Sequence, residues 1–283
     1  MSAGNGGWEL PISEGELSRL TRELDEAHQE YLPRMNAAAA ELTEELRDTQ
    51  PTAAGVERLR VGSRRGFLLG AGGVAAALAL AACSSSGSTK SQGPAPSGTA
   101  MSGSGSGSGS PSATSLYTGD LQVVALATAL ENQAVGAYGA ALAAAKAGRL
   151  GTVPAAVGTF ATTAMAQHAD HAKAWNAVLT GAGKPAISNV PLSNQPATLK
   201  ALGAATSAGA VAQLALDLET QAAQTYLFAT YSVTSAGGIA TAASIAPVEA
   251  MHAAILNFVL GQYPVPDDFL PTDKAASPTL LTV

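Results

Sequence analysis

Deep inside an otherwise apolar stretch, Glu249-Ala-Met-His252 places an acid and an imidazole three residues apart. On a helix that spacing leaves the two side chains about 60° apart around the axis, on one face. The stretch carries its apolar seam at Ala242, Ile245, Leu256 and Val259, and Glu249 and His252 fall on that seam. Both should therefore face inward. An unpaired carboxylate is expensive to bury, by several kcal/mol, so the rest of the chain must supply compensation.

Three more stretches have the same spacing. One runs through Val157, Ala161, Ala164, His168, His171, Trp175 and Val178; another through Leu121, Val124, Thr128, Glu131, Val135, Tyr138 and Leu142. The third, less hydrophobic, runs through Gly209, Ala212, Leu216, Glu219, Ala223, Tyr226 and Thr230. From Ser84 onward the only glutamates are Glu131, Glu219 and Glu249, the only histidines His168, His171 and His252, and all six lie on seams. Surface decoration would not produce that. No Lys or Arg of this region shares a seam, so the compensating charge is imidazolium or metal. Asp170, Asp217, Lys146, Arg149 and Lys173 read as solvated.

Composition agrees with helices: 47% of residues are hydrophobic but only 5% aromatic, which suits close Ala/Gly packing better than a sheet. After Ser84 there are nine acidic and seven basic residues, a balance of −2. That gives no footing for nucleic acid. The single cysteine excludes an intrachain disulfide.

Residues 1–60 read as a polar, loosely helical leader. Leu17, Leu20, Leu24, Ala27 and Tyr31 recur at helical spacing, Pro33 interrupts, and Leu42 and Leu46 continue a second short piece. His28 reads as a solvated helix residue. Residues 61–82 hold Ser63-Arg64-Arg65-Gly66-Phe67-Leu68 and an apolar run ending Leu80-Ala81-Ala82-Cys83. From Phe67 that run is about 16 residues, short of the roughly 20 that span a bilayer. The stretch resembles a twin-arginine export signal closed by a lipobox, with Arg64 and Arg65 as the export motif and Cys83 as the lipidated residue. Residues 83–115, rich in Gly and Ser, would be a flexible tether with a reach of roughly 30 Å. The resemblance implies an exported lipoprotein on the outer side of the cytoplasmic membrane. Its partners would be the twin-arginine machinery and the membrane.

Residues 116–262 read as the folded domain. A first helix is expected from near Asp120 to Ala147 and a second from Pro154 to near Gly181. After a crossover from Lys184 to about Ser207, a third should end before Gly237-Gly238 and a fourth run to Gly261, kinked at Pro247. Residues 263–283, with Pro264, Pro266 and Pro271, read as an extended tail. The halves repeat: Glu131-Asn-Gln-Ala-Val-Gly-Ala-Tyr138 matches Glu219-Thr-Gln-Ala-Ala-Gln-Thr-Tyr226, and His168-Ala-Asp-His171 matches Glu249-Ala-Met-His252. Two such pairs joined by a long crossover describe an all-α, pseudo-twofold four-helix bundle. One Glu from each of two helices, plus an acid-x-x-His pair from each of the others, is the inward set of two-metal carboxylate sites.

With these motifs the domain resembles the ferritin-like superfamily, especially exported rubrerythrin-related members. Glu131-x-Gln133-Ala134-x-x-x-Tyr138 is similar to the first-helix motif of rubrerythrins, and Glu249-Ala-Met-His252 to the last-helix motif of the exported members. The resemblance implies Glu131 and Glu219 as terminal ligands, Glu249 as a bridging ligand, and His171 and His252 as one imidazole per metal. Tyr138 and Tyr226 would lie beside them. His168 departs from the pattern, standing where a second bridging Glu is expected. With one nitrogen lone pair inward it would not bridge as a carboxylate does, and the ligand charge falls from −4 to −3. Fewer than two tightly held ions are then expected.

Iron, one or two ions, is the implied metal; manganese and zinc suit the same donors. The implied activity is oxidation of ferrous iron or reduction of peroxide. The alternative is a non-catalytic envelope lipoprotein domain holding one metal or none, with three carboxylates and three imidazoliums balancing each other. Both readings are compatible with a homo-oligomer. No nucleotide loop and no nucleophile–base pair is legible.

Overall fold

The computed structural model describes residues 8–48, 116–266 and 270–283, and these belong to one compact unit. Arg64, Arg65, Cys83 and the Gly/Ser tract lie outside the described residues. Within them are six α-helices: α1 Glu14–Asp48, α2 Asp120–Lys146, α3 Ala155–Gly181, α4 Gln195–Ala204, α5 Ala208–Ser232 and α6 Ala236–Val259. A 3-10 turn, Pro278–Leu280, and one isolated bridge, Leu192 to Leu281, complete the regular structure. The four expected bundle helices are present with ends close to those read from the sequence.

α2 pairs with α3, α5 pairs with α6, and the two pairs meet chiefly through α2 and α5. The crossover is less plain than expected, since it contains α4. The Asn176 amide accepts from Ile187 N at 2.8 Å, and the Asn132 amide donates to Ile187 O at 2.8 Å. These bonds hold the crossover against α2 and α3. The tail is extended only in part: Ala276 is buried, with its N–H donating to Thr225 Oγ1 at 2.8 Å. α6 continues through Pro247, which removes one backbone donor without ending the helix.

The N-terminal segment corrects the sequence reading. Residues 14–48 form one helix, not two pieces, with Pro33 inside it and exposed. Pro33 forfeits the bond to the Gln29 carbonyl, but the buried seam on either side keeps the chain helical. That seam is Leu17, Thr21, Leu24, His28, Met35, Ala38, Ala39 and Leu42, mostly three, four or seven apart as in a packed helix pair. α1 lies against both α3 and α6.

Its polar residues serve the neighbouring helix ends. The Glu14 carboxylate accepts from Ala156 N at 3.2 Å, in the first turn of α3, and Arg47 Nε donates to Gly181 O at 2.8 Å, at the end of α3. The Glu45 carboxylate accepts from Gly237 N at 3.2 Å, in the first turn of α6. Acid at the N-termini and a cation at the C-terminus complement both the orphan backbone groups and the helix dipoles. α1 therefore runs parallel to α3 and antiparallel to α6, as a fifth helix of the bundle.

Two large apolar layers fill the bundle, and a third, smaller cluster joins Leu126, Ala129 and Leu130 to Leu192 and Ala276. Of the two large layers, one gathers Met35, Leu42, Leu121, Val124, Trp175, Val178 and Ile245; the other gathers Leu17, Leu24, Phe160, Ala164, Leu216, Leu256 and Val259. On each of α2, α3, α5 and α6 the buried Glu or His residues sit between these layers.

Candidate metal centre

All six expected residues converge in that middle layer. Glu131 (α2), His168 and His171 (α3), Glu219 (α5), and Glu249 and His252 (α6) are each at most 2% exposed. They divide into two groups, Glu131–His168–His171–Glu249 and His168–Glu219–Glu249–His252. Within each group one potential ligand atom per residue lies within 4.8 Å of the others. Glu249 and His168 belong to both. The sequence repeat has become a pseudo-twofold arrangement, with one Glu and one His private to each half.

Contacts follow that symmetry. In the first half, His171 Nδ1 lies 2.9 Å from Glu249 Oε1 and 3.6 Å from Glu131 Oε1. In the second, His252 Nδ1 lies 3.3 Å from both Glu219 Oε2 and Glu249 Oε2. Each tyrosine reaches across: the Tyr226 hydroxyl donates to Glu131, and the Tyr138 hydroxyl donates to Glu219. Trp175 Nε1 donates to the Tyr226 oxygen at 2.9 Å, which fixes that phenol and through it Glu131. Asp217, Lys146, Arg149 and Lys173 are at least partly exposed, while Asp170 is half-buried.

His168 stands between the two halves. Its Nδ1 is 2.7 Å from Glu131 Oε2 and its Nε2 is 3.1 Å from Glu219 Oε1. The ring thus presents both nitrogens, one to each half. A neutral imidazole still has one lone pair, so the second nitrogen meets its carboxylate as an N–H donor.

The charges support one another. Burial pushes the Glu131 carboxyl up, but the His171 charge and the His168 hydrogen bond outweigh it and hold it at about 2. Burial also opposes ionisation of Glu219, yet His168 and His252 carry it well below the usual carboxylate range. Burial pushes His171 down, and Glu131 and Glu249 raise it to about 9. His168 and His252 are likewise raised by their carboxylates against burial. Both phenols are pushed well above 10, first by burial and then by the adjacent carboxylates, and stay donors.

Two residues near the centre escape the sequence reading. Gln167, buried on α3, sets its side-chain oxygen 2.8 Å from His252 Nε2 and donates to Asp25 Oδ1 at 3.4 Å. His28, expected in solvent, is 3% exposed, and its ring centre is 5.3 Å from that of His171. Burial, then the neighbouring His171 charge, pushes it down to about 4. The signal for it lies in the spacing: His28 continues the α1 seam between Leu24 and Met35.

The donor set fits a transition cation. Carboxylate oxygens and imidazole nitrogens are the usual ligands of iron, manganese and zinc. His171 Nε2 is buried without a hydrogen-bond partner, while His171 Nδ1 and Glu249 Oε1 face each other at ion-pair distance. Glu131, Glu219, Glu249, His171 and His252 would hold the ions, with His168 between them.

A comparison with protein families matches residues 119–262 to the model of a ferritin-like domain. Neither the curated proteins nor the solved structures yield a match.

Proposed function

The chain belongs to the ferritin-like family, and from that premise we propose that it is an exported, membrane-anchored metal-binding protein that oxidises ferrous iron or reduces peroxide. The observation that carries the metal reading is the pair of buried ligand groups sharing Glu249 and His168. Iron bound there supplies one-electron redox chemistry. The protein's own part is positioning: Tyr226 and Tyr138 orient the terminal carboxylates from the opposite half. The apolar layers exclude bulk water.

An apolar cavity of about 60 Å³ adjoins Tyr138, lined by Leu142, Val157, Phe160 and Leu256. It has room for a molecule of a few atoms, well below the 300–1,000 Å³ or so of organic-ligand pockets. A small oxidant suits it better than an organic substrate. The rubrerythrin likeness rests on Glu131-x-Gln133-Ala134-x-x-x-Tyr138, and the export reading on Arg64, Arg65 and Cys83.

A second reading is favoured by the balance of the cluster itself. Three carboxylates and three imidazoles with raised affinity for protons compensate each other without an ion. The domain would then be a non-catalytic envelope lipoprotein.

Elemental analysis of protein purified without added metal, with ferrous-oxidation and peroxide-reduction assays on the same material, separates the readings: transition ions with turnover support the first, no metal or no turnover the second. Cys83→Ser should leave soluble or uncleaved material, and Arg64→Lys with Arg65→Lys should retain the protein inside the cell. Unchanged membrane fractionation in both variants contradicts the export reading.

A further inference from the structure

The six ligand-bearing residues are sealed from solvent, so a cation must pass between helices to reach them. The interface of α1 with α3 is where titratable side chains form a graded series. Asp25 is exposed, Asp170 half-buried, His28 3% exposed and His171 fully buried. Both nitrogens of His28 lack a hydrogen-bond partner, and its ring packs against that of His171. An apolar residue would fill this seam position without leaving two polar atoms unpaired. α1 also touches the other half of the centre, through the Asp25–Gln167–His252 chain of contacts.

We propose that α1 is a fifth wall of the metal centre and that His28 is a relay ligand, by which a divalent transition cation passes from Asp25 and Asp170 to His171. The inference rests on the metal-binding reading. It adds a residue outside the matched domain, which starts at residue 119. If the chain is cut before Cys83 as proposed above, the relay acts on the uncut protein. Asp25 and Asp170 draw the cation in by charge, His28 replaces part of its water shell, and His171 hands it to Glu131 and Glu249. No electron or covalent bond is transferred.

The experiment uses the full chain stripped of metal, with cobalt(II) as the probe and its visible absorption followed after rapid mixing. His28→Leu suits the apolar seam and keeps α1 in place, which hydrogen exchange over residues 14–48 verifies. It should bind the same final number of cobalt ions as wild type, at least tenfold more slowly, with equally slowed release to a chelator. His28→Cys, which restores a metal ligand, should recover the wild-type rate. Asp25→Asn should slow uptake more at low than at high salt. An unchanged rate in His28→Leu, a slow rate in His28→Cys, or fewer ions at equilibrium in His28→Leu overturns the relay alone. No cobalt uptake by the wild-type chain overturns the metal-binding reading and the relay with it.

Discussion

The packing of α1 on α6 makes opposite predictions for two helical glycines. A Cβ on Gly237 would fall 2.3 Å from Leu42 N and 2.7 Å from Ala38 O. These are backbone atoms of α1, which cannot swing aside as a side chain can. Overpacking of this kind costs about 1–3 kcal/mol, against a helix-propensity gain of about 0.5–1 kcal/mol for Gly→Ala. The net effect of Gly237→Ala should be a loss of up to about 2.5 kcal/mol. Gly136 is exposed in mid-helix, and its Cβ would meet no atom within 4 Å. There only the propensity gain remains, so Gly136→Ala should stabilise. For a chain of this size a change of about 1 kcal/mol moves Tm by about 2–4 °C. Thermal melts of the full chain should thus show Gly237→Ala falling and Gly136→Ala rising. A rise of equal size in both would refute the docking of α1.

In metal-free protein the pH profile of stability follows the cluster. His171 is raised from 6.5 to about 9, so its contribution is complete below pH 6.5 and lost as pH rises through about 9. That is on the order of 3 kcal/mol for His171 alone. Glu131 is lowered from 4.5 to about 2, so its contribution is present above pH 4.5 and lost as pH falls toward 2. Burial lowers His28 from 6.5 to about 4, so its neutral ring also costs stability as pH falls from 6.5 toward 4. Urea midpoints should therefore peak near neutral pH and fall on both sides; a flat profile through about pH 9 counts against the ion network. His168→Glu replaces the shared imidazole with a fourth carboxylate. The metal-free form should lose about 3–5 kcal/mol, while added iron should raise Tm by more than in wild type; a smaller metal response would contradict the shared position of His168.

How far the sequence reaches is clearest at individual residues. Glu131, His168, His171, Glu219, Glu249 and His252 are legible because an ionisable residue on an apolar helical seam is too costly to bury unless it is paired or ligated. Repetition of the pattern in both halves argues against chance. The position of His168 is legible but its geometry is not, because which nitrogens face a partner depends on ring orientation, which a one-dimensional pattern does not carry. Pro33 hides the continuity of α1. A proline in a helix is disruptive in isolation, and only tertiary packing of Leu17 to Leu42 against α3 and α6 overrides it. The burial of His28 is hidden with it, since without a partner for α1 its seam has nothing to face. α4 lies in a stretch with one buried residue, Thr198, too weak a signature to mark a helix.

Thermal melts of wild type and Glu249→Gln, with and without a strong chelator at about pH 6 and pH 8, test the metal centre most directly. Glu249 is shared by both ligand groups, and Gln is nearly isosteric with it. A resident metal stabilises the folded state by mass action, and protons compete with it for imidazole and carboxylate. Chelator should therefore lower the wild-type Tm, more at the higher pH than at the lower, with recovery on re-adding the metal. Glu249→Gln should stay folded and lose that response. A wild-type Tm indifferent to chelator at both pH values, with no metal detected in the protein, would contradict the metal centre and leave the self-compensated ion cluster in its place.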